Sequence, residues 1–282
     1  MSAIETHSVK LCDLTFTVDI AGAAGAEPIL LLHGFPETRH MWRHQLEALA
    51  GAGFRAIAPD QRGYSSGARP PEESAYATDL IVRDALALMD ALNAPRFHLI
   101  GHDWGGQIAW LIAAAHKPRV KSLAVLSRPH PAAFARAMKE DAAQAERSRH
   151  HRAFREGDAL KRMREANLKP LSAALEAQGV PAANAAVYIR ALSEPGAIEA
   201  AMNWYRASGL AGSDIPPVSV PTLYIWGTSD ATVGRTAAEF TKDFVQSPYT
   251  FTEMEDAGHF LVDQFPAETN KHLLAWLIAQ RR

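Results

Sequence analysis

The stretch from Arg96 to Gly106 constrains this chain more than any other. Phe97-His98-Leu99-Ile100 is a short, largely apolar run that reads as a strand. It stops at Gly101, the chain turns through His102-Asp103-Trp104, and Gly105-Gly106 lead into the helical run Gln107 to His116. Glycines two residues either side of a central residue suit a strand-to-helix turn so tight that side chains there would collide with backbone. Such a turn pushes its central side chain out at the end of the strand, beside the N-terminus of the next helix. That side chain is Asp103. A carboxylate is ionised at neutral pH and needs no base to activate it. It is a poor match for carbonyl carbon but can displace a leaving group from saturated carbon. The plainer alternative is a glycine-rich surface turn whose Asp caps a helix, and partners elsewhere in the chain decide between the two.

Strands and helices alternate on both sides of this turn. Val9 to Ile20, with Leu14, Phe16, Val18 and Ile20 at alternate places, reads as a half-exposed antiparallel strand. Pro28 to Leu32 is a continuous apolar run, as for a strand covered on both faces, and it ends in the loop His33-Gly34-Phe35-Pro36-Glu37. A helix follows from Met41 to Gly51, then a strand Arg55 to Pro59, a loop Asp60 to Gly67, and a helix Leu80 to Leu92 with Ile81, Ala85, Leu88 and Leu92 on one face. Val120 to Leu126 is another buried strand. The alternation calls for a mostly parallel sheet with helices on both faces.

The rhythm breaks at Ser127-Arg128-Pro129-His130-Pro131. From there to about Ser213 only helical segments rich in Ala, Arg and Glu are found. Strands resume at Val218 to Trp226 and Tyr249 to Met254, and His259 to Gln280 holds a closing helix. An all-helical block between two strands of one sheet reads as a lid. The expected division is a core of residues 1–128 and 214–282 with a helical cap of residues 129–213. The basic run Arg147, Arg149, Arg152 and Arg155 in that cap reads as a solvated helix face.

Composition excludes several classes of function. A net charge of −2 gives no polyanion-binding surface, so no nucleic-acid partner is expected. No apolar run approaches the roughly 20 residues that cross a bilayer. Met1 to Lys10 carries Glu5 and no apolar core, unlike a signal peptide. The single cysteine, Cys12, leaves no internal disulfide and fits a reducing compartment. The expectation is a cytoplasmic protein that acts on a small molecule, as a monomer or homodimer.

Partners for Asp103 lie beyond the cap. The strand that reaches Trp226 ends in Gly227-Thr228-Ser229-Asp230, and the last strand is followed by Glu255-Asp256-Ala257-Gly258-His259. Acidic and basic residues at the carboxyl ends of parallel strands lie where such sheets place their active sites. Asp103, Asp230 and His259 stand in the chain order nucleophile, acid, histidine that α/β-hydrolases use. In that arrangement Asp103 attacks carbon and becomes an ester. His259, oriented by Asp230, takes a proton from the water that hydrolyses the ester. Backbone N–H groups of Phe35 and Trp104 are the available oxyanion donors.

His33-Gly34-Phe35-Pro36-Glu37, Asp60-Gln61-Arg62-Gly63-Tyr64, Gly101-His102-Asp103-Trp104-Gly105-Gly106 and Asn203-Trp204-Tyr205-Arg206 together resemble the epoxide hydrolases of the α/β-hydrolase superfamily. The resemblance covers nearly the whole chain, lid included. It implies an α/β-hydrolase fold, hydrolysis of a small hydrophobic epoxide to a diol, and neither metal nor cofactor. It also implies that Tyr205 donates a hydrogen bond to the epoxide oxygen. The family's second ring-opening tyrosine is missing, since no Tyr lies between Tyr76 and Tyr188; His150 falls nearest its place, with His151 one register away. His151, Trp204, Phe35 and Trp104 are candidate pocket residues. Haloalkane dehalogenases are a rival: Trp104 could hold a halide, but Phe35 stands where they use an Asn donor. Fluoroacetate dehalogenases are another, but Trp104 and Gln107 replace their carboxylate-binding arginines. A non-catalytic ligand receptor would have no use for the intact set of Asp103, Asp230 and His259.

Overall fold

The computed structural model describes residues 3–156, 158–208 and 215–281. Its apolar runs form one sheet of eight strands: β1 (Glu5–Leu11), β2 (Leu14–Ala21), β3 (Glu27–Leu32), β4 (Phe54–Pro59), β5 (Phe97–His102), β6 (Val120–Leu126), β7 (Thr222–Gly227) and β8 (Tyr249–Met254). Their order is β1-β2-β4-β3-β5-β6-β7-β8. β1 and β2 are antiparallel to their neighbours, and every pairing from β4 to β8 is parallel. After β3 the chain turns to one side for β4 and then crosses to the other for β5. The strand order reverses there, and at such a point a crevice opens outside the carboxyl ends of the strands. The loops after β3 and β5 therefore meet, which brings Phe35 to Asp103.

Helices α1 (Arg43–Gly51), α2 (Thr78–Ala91) and α3 (Trp104–Ala115) connect the first parallel strands. One face of the sheet buries Ile29, Leu31 and Ile100 against Leu46 and Leu49 of α1; the other buries Leu30, Leu32 and Leu99 with Ile108 and Ile112 of α3. Among the described residues seven helices lie between β6 and β7: α4 (Pro131–Glu140), α5 (Ala142–Arg147), α6 (Arg149–Arg155), α7 (Asp158–Glu165), α8 (Lys169–Ala177), α9 (Ala182–Leu192) and α10 (Ala197–Ser208). The expected end of the cap at 213 lies outside the described residues. The helices α11 (Arg235–Phe240), α12 (Leu261–Gln264) and α13 (Pro266–Ala279) complete the core. Among the described residues no helix is long and apolar enough to cross a membrane.

Three elements differ from the reading of the sequence. Val9 to Ile20 is not one strand but the two arms of a hairpin, which turns at Cys12 with φ +52° and pairs Leu11 with Leu14. Apolar alternation carries on across that turn, so periodicity cannot reveal it. Of the expected strand Val218 to Trp226, only Thr222 onward is regular, because Pro216, Pro217 and Pro221 lack the N–H that a ladder needs. The closing helix breaks at Phe265 (φ −132°), since Pro266 disfavours helical geometry in the residue before it.

Candidate active site

Asp103 stands at the junction of β5 and α3 with φ +50° and ψ −120°, a strained conformation for a non-glycine residue. The turn leaves no room around it. A Cβ on Gly105 would lie 2.1 Å from the Leu32 carbonyl oxygen, and one on Gly34 would lie 2.5 Å from Asp103 Oδ1. The Asp103 carboxylate is buried; its Oδ1 accepts the Phe35 N–H at 2.9 Å, and its Oδ2 is 3.5 Å from His259 Nε2. Trp104 is the first residue of α3, so its N–H has no acceptor within the helix, and the positive end of α3 favours the nearby anion.

On the other side of His259, Nδ1 faces Asp230 Oδ2 at 3.0 Å. Asp230 is pinned by its own loop: Oδ1 accepts the N–H groups of Thr232 at 2.7 Å and Val233 at 2.9 Å. Burial pulls the His259 pKa down, but the Asp230 charge and the hydrogen bonds to both carboxylates outweigh it and push it up to about 10. Asp103 shows the reciprocal effect: burial would raise it, yet the hydrogen bond and charge of His259 hold it well below the usual carboxylate range. In the resting site His259 is thus an imidazolium between two carboxylates.

Two histidines outside this set brace it. His33 Nδ1 faces the Gly34 carbonyl at 2.9 Å and Nε2 accepts the Gln61 N–H at 3.2 Å, while Gln61 Nε2 donates to the His33 carbonyl at 2.7 Å. The Asp60-Gln61-Arg62 loop therefore fixes the loop that carries the Phe35 N–H. His102 Nε2 faces the His259 carbonyl at 2.8 Å and Nδ1 lies 2.8 Å from Glu37 Oε2, both side chains being 0% exposed. The carbonyl can only accept, so Nε2 carries a proton, and one further proton is shared between Nδ1 and Glu37. This pair was not read from the sequence as part of the site. Its only signal there was an acidic residue closing a loop at a strand end.

The loops at the carboxyl ends of the strands and the helices inserted after β6 enclose a cavity of about 310 Å³ that holds Asp103 and His259 together with His150 of α6 and Tyr205 of α10. Its apolar lining includes Phe35, Phe154, Leu171 and Leu175. The Tyr205 ring packs against Trp104, Phe154 and Phe35 with centroids 5.0, 5.0 and 5.6 Å apart. Burial above all, with the Asp103 charge, raises the Tyr205 pKa well above that of an ordinary tyrosine, so its hydroxyl keeps its proton. His150 Nδ1 faces the Arg147 carbonyl at 3.0 Å and must carry the proton there. A neutral His150 ring thus offers Nε2 only as an acceptor, and burial lowers its pKa.

Three pocket candidates from the sequence lie outside this lining: His151, Trp204 and Trp104, whose ring packs against Tyr205 from beyond it. His151 lines a separate cavity of about 300 Å³ that reaches the other side of Tyr205. The Trp204 indole is turned to the core, donating to the Arg62 carbonyl at 2.8 Å and packing on Tyr64, and it does not line the cavity that holds Asp103. A wider hollow of about 770 Å³, lined by Glu73, Arg152, Arg155, Glu156 and Arg206, contains none of Asp103, Asp230 and His259. Among the described residues no cluster of His, Cys, Asp and Glu has the makings of a metal site.

A family model described as the alpha/beta hydrolase fold matches residues 27–266. Epoxide hydrolase 4 of Mus musculus is 33% identical over 288 residues, which cover 97% of this chain and 79% of that protein. Epoxide hydrolase A of Mycobacterium tuberculosis is 32% identical over 320 residues, covering 97% of this chain and 96% of its own length. A solved structure from work on novel epoxide hydrolases in metagenomes of hot environments has a TM-score of 0.82 at 28% identity, covering 98% of this chain and 99% of that one.

Proposed function

The chain belongs to the epoxide hydrolases of the α/β-hydrolase family, and on that footing we propose that it adds water to a small apolar epoxide to give a vicinal diol. The observation that carries the reading is one cavity faced by a carboxylate from the core and a protonated phenol from the lid. Asp103 Oδ2 attacks an epoxide carbon, the carbon–oxygen bond breaks, and Tyr205 donates to the departing oxygen. That oxygen leaves as an alkoxide, which is too basic to depart without a hydrogen bond or proton. His150 can assist only when it carries a second proton.

The second half-reaction follows from charge. Esterification removes both the Asp103 charge and its hydrogen-bond acceptance, two of the influences that raise the His259 pKa, while burial and Asp230 remain. His259 therefore gives up its proton once the ester has formed; that proton makes good the one Tyr205 passed to the alkoxide, and neutral His259 becomes the base that the next step needs. It takes a proton from water, the water oxygen adds to the Asp103 ester carbonyl, and the N–H groups of Phe35 and Trp104 hold the oxyanion. Collapse releases the diol and leaves one water oxygen in the Asp103 carboxylate. On the same proposal the chain divides into a core of residues 1–128 and 214–282 and a lid of residues 129–213, and the single Cys12 fits a cytoplasmic enzyme.

A single turnover in heavy-oxygen water tests the reading. Label should enter the Asp103 carboxylate during that turnover, and label found only in the diol overturns the ester. A panel of epoxides beside haloalkanes and fluoroacetate tests the substrate class. Halide release faster than every epoxide turnover would transfer the same residues to a dehalogenase.

A further inference from the structure

The acid of the site is held by the lid. Asp230 sits in a tight loop between β7 and α11, and its Oδ1 uses the N–H groups of Thr232 and Val233. That leaves the carbonyls of Asp230 and Thr232 and the N–H of Gly234 to be satisfied from outside, since buried backbone groups need partners. Both suppliers come from α5. Arg147 Nη1 donates to the Asp230 carbonyl at 2.9 Å. Gln144 Nε2 donates to the Thr232 carbonyl at 3.0 Å, while its Oε1 accepts the Gly234 N–H at 2.8 Å.

We propose that Gln144 is a positioning residue that fixes the Asp230 loop, so that docking of the lid completes the pairing of acid and histidine; this rests on the ester mechanism above. A primary amide suits the task because it donates and accepts at once, as a strand partner would. Its orientation is set at both ends. Nε2 also lies 2.9 Å from Ser148 Oγ, whose hydroxyl donates to the Gln144 carbonyl at 2.9 Å. Gln144 is 0% exposed, whereas Arg147 is an exposed side chain reaching in from the rim, so the glutamine sets the loop more tightly. The chain of influence is short: Gln144 holds Thr232 and Gly234, these flank the groups bonded to Asp230 Oδ1, and Asp230 Oδ2 meets His259.

The step that feels this contact is ester hydrolysis, where His259 is the base. Ester formation depends on Asp103 and Tyr205, which Gln144 does not touch. In Gln144→Met, which keeps length and apolar volume but no hydrogen bond, rapid-mixing experiments with styrene oxide should give ester formation within about twofold of normal. Hydrolysis should be about 10- to 100-fold slower, as for a group displaced by part of an ångström to an ångström. Ester should therefore accumulate in intact-mass spectra. Gln144→Glu keeps the acceptor for Gly234 but sets an oxygen against the Thr232 carbonyl, and it should show the same split. Equal slowing of both steps, or of neither, in the folded variants overturns the proposal.

A measurement without substrate separates this inference from the reading beneath it. His259 is faced by Asp103, Asp230 and His102 from the core and by His150 from the lid. Its ring titration, followed by NMR in the free protein, should move to lower pH in Gln144→Met as Asp230 slackens. An unmoved titration sinks the Gln144 role even if the ester is found. A wild-type protein that forms no ester while the titration moves sinks the mechanism instead and leaves the contact standing.

Discussion

The two walls of the cavity are built by different rules. On the core wall, Asp103, Asp230, His259 and the Phe35 N–H all stand at or just beyond the carboxyl ends of parallel strands, held by backbone turns and buried pairs. On the lid wall, His150 and Tyr205 project from α6 and α10 and take their places from how those helices dock. The core wall carries opposite charges in near balance. The lid wall carries aromatic surface with a raised tyrosine and a lowered histidine. The difference implies a division of labour in which the core makes and breaks the ester and the lid side chains that line the cavity see only the departing oxygen, Gln144 acting from outside the cavity through the Asp230 loop.

The sharpest way to break that division is on the core side. Asp103→Ala should lose turnover by on the order of 10⁴-fold or more, because nothing else in the cavity can form the ester. His259→Gln should cost about 10²- to 10⁴-fold in ester hydrolysis while ester formation continues, so the modified protein should be visible by intact mass. A variant whose ester formation falls in step with hydrolysis would show that His259 also acts on the epoxide, and the two walls would no longer be separable.

On the lid side, Tyr205→Phe should slow ester formation by on the order of 10²-fold and leave hydrolysis of a preformed ester nearly untouched. His150→Ala should cost less, and its cost should depend on pH. The imidazolium that can donate exists below the lowered His150 pKa, so the contribution appears in acid and is lost as pH rises. Ester hydrolysis runs the opposite way. It needs neutral His259, so its rate should rise with pH through a midpoint below the value of about 10 that the resting site imposes, and then level off. In His150→Ala, ester formation should stay flat over that range, since Asp103 remains ionised and Tyr205 protonated. Stopped-flow traces of the two phases between pH 5 and 10 test all three signs.

The same contrast explains what could be read from the chain. The core residues were legible because each stands beside glycine at the end of an apolar run, where local sequence dictates geometry. The lid residues were legible only through the family resemblance, which names Tyr205 and His150 but carries no local rule to choose His150 over His151. His150 and His151 are neighbours on one helix, and neighbouring side chains point about 100° apart. Which of them meets Asp103 depends on docking: His150 lines the cavity that holds Asp103, and His151 lines the other. Trp204 belonged to a motif, yet its indole serves the Arg62 carbonyl. The Glu37–His102 pair and Gln144 escaped because hydrogen bonds between distant segments leave no spacing to read.

The smallest effect should come from the one residue that belongs to both walls. Phe35 gives its N–H to Asp103 while its ring lines the cavity and packs edge-on against Phe154 and Tyr205, each at 5.6 Å. Any amino acid other than proline supplies the same N–H, so Phe35→Leu should keep ester hydrolysis within about threefold, far from the 10²- to 10³-fold cost of removing an oxyanion donor. The ring is a different matter. Two edge-on contacts contribute about 0.5–1.5 kcal/mol each, and losing both loosens the seat of Tyr205. Ester formation should therefore fall several-fold, and the melting temperature by a few degrees. Rate constants for the two half-reactions, measured on the same Phe35→Leu preparation, decide the point. If hydrolysis falls as far as formation, the side chain is setting the backbone donor, and the line between the core and lid walls runs somewhere other than through this residue.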